Sequence, residues 1–355
     1  IAKGGPCALR YAALRVYQNR TEETPMRKYI LKRILLSIVI FFFVMLIVYT
    51  LMRCLPTSYI ESIARQKSQQ PNSKSYEEWM EQLTAMYGMD KGILGGYFGW
   101  LGDFFRGNFG DSWYYTVPVI EKFNETVWLS FVMGLISFFF ELIIAIPLGI
   151  VAATKQYSKT DYTISVIALA GISLPTFFFA SLMKLVFSVK LGWFDLGGLI
   201  GRNFEQLSPW GQFWDRADHL VLPIVTLVVI SIGSLMRYTR TNMLEVLNAD
   251  YIRTARAKGQ KESIVIGVHA LRNALIPVVT LCGLQFGQLL SGAILTESIF
   301  AVPGVGRLMV NAIMSRDYPM VQGGVLFIAI TFSIVNLLVY LLYAYIDPRI
   351  KAELK

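Results

Sequence analysis

The sequence predicts an all-α, polytopic membrane protein with six transmembrane helices, and three observations support this fold class. Hydrophobic residues make up 54% of the chain and charged residues only 16%, with a mean hydropathy of +0.49, whereas a soluble domain carries about a quarter charged residues. Six apolar runs are long enough to cross a bilayer, which takes about 20 residues. Lysine and arginine gather in short loops that fall on one side if the runs alternate in direction.

The first apolar run, residues 34–52, follows the basic stretch MRKYILKR and is too long for the apolar region of a cleavable signal peptide. It therefore predicts an anchor that stays in the membrane. Because Met26 resembles a natural start, residues 1–25 are interpreted as an atypical N-terminal extension, either disordered or foreign to the natural chain. The first helix and the external segment that follows it form a predicted region over residues 26–123.

The other five apolar runs form the predicted membrane domain, residues 124–346, which precedes a cytoplasmic tail at 347–355. Their bounds are 127–153, 162–189, 220–236, 274–295 and 321–346. Four of these runs contain a proline, namely Pro147, Pro175, Pro223 and Pro277. Prolines are tolerated where neighbouring helices satisfy the freed backbone groups. They favour bent helices around a path, although irregular packing explains them equally well.

The basic loops set the expected orientation. Clusters of lysine and arginine precede the first run and follow the second, the fourth and the sixth. The positive-inside rule makes that side cytoplasmic. The protein is therefore expected in a prokaryotic inner membrane, with both termini on the cytoplasmic side. The net charge of +9 is then explained by membrane topology, with lipid and not nucleic acid as the expected surroundings.

Two segments fall on the external side in this topology. In residues 53–126, the stretch EEWMEQLTAMYG has helical spacing that places Trp79, Leu83 and Met86 on one face. Residues 297–319 contain the turn signals PG and GVG, followed by RLMVNAIM, which is too short to span. We expect this second stretch to form a short helix that dips into or lies over the bundle.

No catalytic or metal site is expected in this chain. The sequence lacks a G-x-x-x-x-G-K-[ST] phosphate loop, and neither His219 nor His269 is followed by a metal-ligand residue four positions later. The three cysteines lie far apart and match no disulfide or metal pattern. The protein is therefore not expected to be an enzyme, and no cofactor is expected to bind to it.

Two charged residues fall inside the predicted spans. Lys184 lies near the outer end of the third span and can extend to the interface. Glu141 is central, and an intramembrane carboxylate is a functional candidate, with helix packing against a polar partner as the alternative. Gln285, Gln288 and Asn336 are the expected partners, and with Glu141 they form the predicted path across the membrane.

The loop between the fourth and fifth spans, residues 237–273, is polar and basic. Asn248 or Asp250 can cap a helix start and Gly259 can end the helix, which predicts a helix over about 249–258. A helix this short does not persist in water unsupported. Its alanines allow close approach and its cations allow charge pairing, so it is either a docking element for a soluble partner or a solvated basic loop. The candidate docking residues are Asp250, Tyr251, Arg253, Thr254, Ala255, Arg256, Ala257, Lys258 and Gly259.

DYIRTARAKG and the later HALRNALIP resemble the EAA loop of ABC-transporter permeases, in the form found in B-type permease subunits of oligopeptide and dipeptide importers. Only Ala255, Gly259 and Leu271 match the general EAA pattern. Other stretches similar to that subfamily are MRKYILKRIL, GNFGDSW, AIPLGIVAA, SLPTFFF, KLGWFDLGG, PGVGRLMVNAIMSRDYPMVQG and YAYIDPRI. Val302 and Tyr340 depart from the subfamily pattern, which leaves the substrate preference open.

The resemblance, which covers residues 26–355, implies a type I ABC importer permease fold with a coupling helix in the loop 237–273. It also implies a second homologous permease, two ATPase subunits that bind ATP and Mg, an extracellular or periplasmic substrate-binding protein, and a peptide cargo. Similar permeases carry nickel chelates or sugars, so a non-peptide cargo stays open. The rival functions are a proton-coupled secondary carrier that uses Glu141 and a membrane scaffold without transport.

Overall fold

The computed structural model describes residues 31, 34–54, 59–70, 73–86 and 89–346. The predicted extension at 1–25 and the predicted tail at 347–355 lie outside the described residues. Within the described ranges nearly all of the regular structure is helical, and β pairing is limited to a single bridge between Asp111 and Pro118. The predicted all-α class is therefore confirmed.

The helices follow one another with short connections. The first half contains α1 (Ile34–Arg53), α2 (Tyr59–Ser68), α3 (Tyr76–Met86), α4 (Ile93–Phe105), α5 (Val119–Thr154), α6 (Lys159–Ser173) and α7 (Thr176–Met183), which continues as a π-helix over Lys184–Lys190. The second half contains α8 (Pro209–Leu247), α9 (Asp250–Ala257), α10 (Glu262–Ile264), a π-helix over Val265–Ala270, α11 (Leu271–Gln288), α12 (Ile294–Ile299), α13 (Val305–Met314) and α14 (Tyr318–Ile346). Short 3-10 turns lie at Phe204–Gln206 and Leu289–Ser291.

By length and composition, five helical stretches of the described chain can cross a membrane, and the bent pair α6–α7 makes up to six. The fifth of the predicted runs is shifted, because the corresponding apolar helix extends over Glu262–Phe286 and not over 274–295. The second and fourth predicted runs are too short, since α5 and α8 continue into polar turns. At the start of α8, for example, the Ser208 side chain accepts a hydrogen bond from the Gly211 backbone, a cap that satisfies a free helix-end donor.

The third predicted run is not one helix. The chain breaks after Ser173, and α6 and α7 meet at an angle of 99°. Pro175 explains the break, because its ring disfavours the helical conformation in the preceding residue, and Leu174 accordingly has an extended backbone with ψ of 123°. Pro147, Pro223 and Pro277, by contrast, lie inside continuous helices.

Buried side chains form successive layers along α5. From its start to its end, these layers contain Phe123, Met133, Ala145 and Ala153. α8 passes through the last three in the same order, at Leu220, Leu235 and Met243, so α5 and α8 run parallel. The first layer includes residues of α13 and the last includes residues of α9. We call these two ends of the bundle the α13 end and the α9 end.

The short helix predicted over the bundle is α13, and the structure confirms it. α13 buries Val305, Leu308 and Ala312 against the start of α5. The helix predicted near residue 80 is also present, as α3, and it buries Leu83 against α2. Its predicted apolar face is wrong at Met86, whose side chain is 64% exposed, because α3 ends at that residue.

A buried carboxylate ties the segment before α5 to the turn before α14. Asp317 is fully buried, and it accepts hydrogen bonds from the Ser112 hydroxyl and from the backbone nitrogens of Trp113, at 3.1 Å, and Tyr114, at 3.2 Å. A buried carboxylate is stable only when such donors replace water. Asp317 therefore holds the α13 end together across distant parts of the chain.

Candidate functional site

The predicted docking residues lie on α9, which is shorter than expected and starts differently. The N-cap is Ala249, which has no side-chain acceptor, so the prediction that Asn248 or Asp250 caps the helix is wrong. The Asn248 amide instead donates to the Leu244 carbonyl at 2.9 Å and closes the last turn of α8. Asp250 occupies the first helical position, where a negative charge complements the helix dipole.

Gly259 ends the helix, as the sequence predicts. Its φ of +74° lies in the left-handed region, and its backbone nitrogen donates to the Arg256 carbonyl at 2.9 Å. A β-carbon at this position would meet nothing within 4 Å. Glycine is therefore favoured here because of the left-handed backbone conformation, and not because a side chain would clash.

One face of α9 packs against the permease bundle itself. Ile252 is fully buried and Ala255 is only 8% exposed, and both contact a cluster that includes Ala153, Met243 and Ala274. The expectation that Ala255 allows close approach of a partner is therefore wrong. Its small side chain allows close approach of α9 to its own chain, because the amphipathic helix turns that face inward.

The opposite face of α9 is exposed and basic. All nine predicted docking residues except Ala255 are exposed. The Arg256 guanidinium donates to the Glu262 carboxylate at 2.7 and 3.2 Å, and this contact raises the pKa of Arg256, so its charge persists. Arg253 lies 3.6 Å from Asp250 in a solvent-exposed pair, which contributes little to stability. The face therefore presents cations on a helix held in place from behind.

A partly buried ion pair that the sequence analysis did not identify lies toward the same end of the bundle. The Arg240 guanidinium donates to both carboxylate oxygens of Asp161, at 2.7 and 2.8 Å, and joins α8 to the start of α6. Arg240 falls within the loop 237–273, which the sequence analysis describes only as polar and basic. The sequence offers no local signal for this pair, because its partners lie 79 positions apart.

The predicted path residues lie partly around a cavity of about 260 Å³ between α5, α8 and α11. Glu141, Gln285 and Gln288 line it. Glu141 is 4% exposed, and its Oε1 accepts a hydrogen bond from Gln285 Nε2 at 3.2 Å. Asn336 is not among the lining residues. A larger cavity, of about 450 Å³, lies at the α13 end among α1, α4 and α14, away from Glu141.

Glu297 is a second buried carboxylate near this cavity, and the sequence analysis did not single it out. It accepts hydrogen bonds from the Ser130 hydroxyl at 2.8 Å and from the backbone nitrogens of Ala293 and Arg307, both at 3.0 Å. A β-carbon at Gly304 would lie 2.5 Å from its carboxylate. The sequence signal that could have indicated this site is the presence of glycines on both sides of Glu297, just after the end of a span.

Lys184 does not extend freely to the interface as predicted. Its ammonium donates to the Ile299 carbonyl at 2.9 Å. A cation near the last turn of a helix satisfies free carbonyls and complements the helix dipole. Lys184 therefore fixes the end of α12 against α7 and the π-helix that follows it.

Comparison with known proteins assigns this arrangement to a family. Residues 145–352 match the family described as "Binding-protein-dependent transport system inner membrane component". The matched range covers more than half of the chain. The chain belongs to this family of permeases. The resemblance drawn from the loop 237–273 and the other motifs is thus confirmed.

Curated relatives of this permease match over nearly its whole length. The oligopeptide transport system permease protein AppB of Bacillus subtilis (strain 168) is 37% identical over 92% of this chain and 100% of its own. The dipeptide transport system permease protein DppB of Escherichia coli (strain K12) is 37% identical over 92% of this chain and 99% of its own. The di/tripeptide transport system permease protein DppB of Pseudomonas aeruginosa (strain UCBPP-PA14) is 36% identical, with 92% and 100% covered.

Membership in this family settles the general function. The protein is a permease subunit of an ABC importer, and hence a transport subunit and not an enzyme. It is a multi-pass inner-membrane protein, in agreement with the candidate spans. Importers of this family pair their permeases with ATPase and substrate-binding partners, so the rival functions of secondary carrier and passive scaffold are set aside.

Proposed function

We propose that this permease forms half of the translocation pathway of a dipeptide or oligopeptide importer, and that α9 docks onto an ATPase subunit. The observation that carries the proposal is the two-faced character of α9. Its inner face is packed into the bundle at Ile252 and Ala255, while its outer face exposes Arg253 and Lys258. A helix fixed in this way can transmit the movement of a bound partner to the spans as a rigid body.

The α9 end is assigned to the cytoplasm. Lys155 and Lys258 lie in the connections after α5 and α9, Lys159 begins α6, and Arg237 lies toward the end of α8. Positive residues therefore gather at this end, as the positive-inside rule requires. ATP and Mg would bind to two ATPase subunits that meet this end. Both chain termini are proposed to lie on the cytoplasmic side, since six spans would alternate in direction.

The α13 end is assigned to the external side, where a substrate-binding protein would deliver the cargo. α2, α3 and α4 extend the bundle there. Asp317 fixes the segment before α5 to the start of α14. A second homologous permease would complete the pathway, with Glu141, Gln285 and Gln288 of this chain on its wall. The peptide cargo is supported by the relatives named as oligopeptide and dipeptide permeases, each 37% identical to this chain.

Reconstitution tests the proposal directly. The permease is placed in liposomes with the second permease, both ATPase subunits and the binding protein, and ATP-dependent uptake of a labelled dipeptide is measured. A nickel chelate and a sugar serve as alternative cargoes. Uptake of either of these in place of the peptide, or peptide uptake by this chain without the ATPase subunits, would refute the assignment.

The docking face is tested by reversing its charge. Replacing Arg253 and Lys258 with glutamate is expected to abolish copurification of the ATPase subunits and ATP-driven uptake, because cations that pair across an interface become repulsive. Lys155→Glu is the matched control, since Lys155 is exposed near the same end but lies outside α9. Retention of the ATPase by the double variant would show that the docking face lies elsewhere.

A further inference from the structure

The cavity beside α5 contains a carboxylate whose capacity to accept hydrogen bonds is mostly unused. Glu141 is 4% exposed, and among the described residues it accepts one hydrogen bond, from Gln285 at 3.2 Å. An ionised carboxylate offers about four acceptor positions. Because a buried charge is unstable unless it is paired or hydrogen-bonded, Glu141 has room for a further, positively charged partner.

Two other buried acids of this protein, Glu297 and Asp317, show that the arrangement at Glu141 is unusual. Glu297 accepts three hydrogen bonds, from Ser130, Ala293 and Arg307. Asp317 accepts hydrogen bonds from one hydroxyl and several backbone nitrogens. Burial in this fold therefore normally comes with a full set of donors, and Glu141 is the exception among these three.

The rest of the cavity wall supplies acceptors and no positive charge. Gln285 Oε1 is buried and has no hydrogen-bond partner in the described part of the chain. The Ser137 hydroxyl donates to the Met133 carbonyl at 2.8 Å, so its lone pairs stay available as acceptors. None of the described lining residues is a lysine, an arginine or a histidine. This set of groups fits a ligand with several N–H donors and a positive charge.

The size of the cavity limits which part of a cargo can enter. About 260 Å³ is below the roughly 300–1,000 Å³ of sites that enclose a whole small molecule. Gly292 and Ala293 line it, on the side of Glu297 and the α13 end. One end of a cargo that arrives from that side could reach Glu141 while the rest stays in the pathway.

We infer that this cavity is a subsite for a primary ammonium group, the free amino terminus of the transported peptide, with Glu141 and Gln285 as its acceptors. The inference rests on the proposed peptide cargo. Glu141 provides the opposite charge, and the unpaired Gln285 Oε1 accepts a second hydrogen bond from the same ammonium. A charged amino end thereby crosses a region in which an unpaired cation is unfavourable.

Binding is measured first, without transport. The membrane complex of both permeases and both ATPases is mixed with glycinamide, which carries an ammonium, or with N-acetylglycinamide, which does not. Saturation-transfer NMR should detect glycinamide and not the acetylated probe, and the Glu141→Gln variant should weaken the signal. Glu121→Gln is the control, because Glu121 is exposed on the same helix. Equal signals from both probes, or equal signals in wild type and Glu141→Gln, would overturn the inference.

Uptake by the full importer provides the second measurement. Glu141→Gln is expected to lower ATP-driven dipeptide uptake about tenfold, as the loss of a hydrogen bond to a charged group does, with ATPase stimulation retained. The exchange Glu141→Gln with Gln285→Glu keeps one carboxylate in the cavity and should restore most uptake. Unchanged uptake in the single variant, or no rescue in the exchange, would contradict the subsite. Failure of the wild type to take up any peptide would instead refute the proposed function, and the NMR result would still stand.

An ion-coupling function for Glu141 is separated by collapsing the ion gradients. Wild-type uptake should continue when ionophores remove the proton and sodium gradients, because ATP is the energy source and the carboxylate pairs with the cargo. Loss of wild-type uptake under these conditions would assign Glu141 to a coupling ion and overturn the ammonium subsite.

Discussion

Ala255 and Ala257 are close neighbours in the sequence, yet they lie on opposite faces of α9. Ala255 is 8% exposed and packs against the bundle, whereas Ala257 is exposed. Ala255→Trp is therefore expected to overfill the inner contact and to lower the free energy of unfolding by about 1–3 kcal/mol. Thermal unfolding of the purified permease pair measures the change.

Ala257→Trp is the matched variant for the outer face. It should leave unfolding within about 0.5 kcal/mol of the wild type, as surface substitutions do, while its bulk reduces ATPase copurification. If the two variants destabilised the permease equally, the assignment of the two faces of α9 would be incorrect.

A second prediction at the residue scale concerns Gly259, whose φ of +74° lies in the left-handed region. Gly259→Ala is expected to destabilise the turn after α9 by about 1–2 kcal/mol, the cost of a left-handed conformation in a residue with a β-carbon. Faster backbone hydrogen exchange over residues 250–258 would report this change. Gly267→Ala is the control, since Gly267 lies in a π-helix and a β-carbon there meets open space. Equal exchange in both variants would contradict the prediction.

Among the structural elements, the segment before α5 depends most clearly on a distant partner. Asp317→Ala would remove the acceptor of the hydrogen bonds from Ser112, Trp113 and Tyr114, and an unsatisfied buried donor such as the Ser112 hydroxyl costs about 1–3 kcal/mol. We expect faster limited proteolysis within residues 108–118 and a lower Tm. Asp103→Ala should change neither, because Asp103 is exposed and its contact with Arg106 is long, at 3.8 Å. Resistance of the Asp317 variant to proteolysis would show that other contacts hold this segment.

The bend between α6 and α7 shows that prolines in different spans have different effects on the helix. Pro175 stands at the break of 99°, while Pro147 and Pro223 lie inside continuous helices. Each of these three prolines removes one backbone donor, but the helix breaks only at Pro175. After the break, α7 packs against α12 and α8. A proline in a span therefore indicates where a break is permitted, and packing decides whether it occurs.

At the scale of the whole molecule, the orientation in the membrane is testable by labelling. In a background without Cys7, Cys54 and Cys282, a membrane-impermeant maleimide added to intact cells should label Glu77→Cys on α3 and Gln206→Cys before α8. Lys258→Cys should react only after the membrane is permeabilised, because the positive-inside rule places it in the cytoplasm. Labelling of Lys258→Cys in intact cells would reverse the proposed topology.

The sequence by itself determined the class of the protein and the order of its spans. Apolar runs near 20 residues long and the basic loops between them are local properties, so composition and charge were sufficient to predict them. Gly259 ends α9 as predicted, because a helix end next to a glycine is also a local pattern. The family motifs around RTARAKG were recognisable for the same reason.

Only the tertiary structure decided which face each residue presents and which polar groups meet. The inward position of Ala255, the ion pair of Asp161 with Arg240 and the donors around Glu297 all join residues that are distant in sequence. Periodicity shows that a helix has two faces, but it does not tell which face another helix will cover. Glu141 was predicted as an intramembrane carboxylate, yet its single hydrogen bond and the acceptor-rich cavity beside it arise from how α5, α8 and α11 pack together.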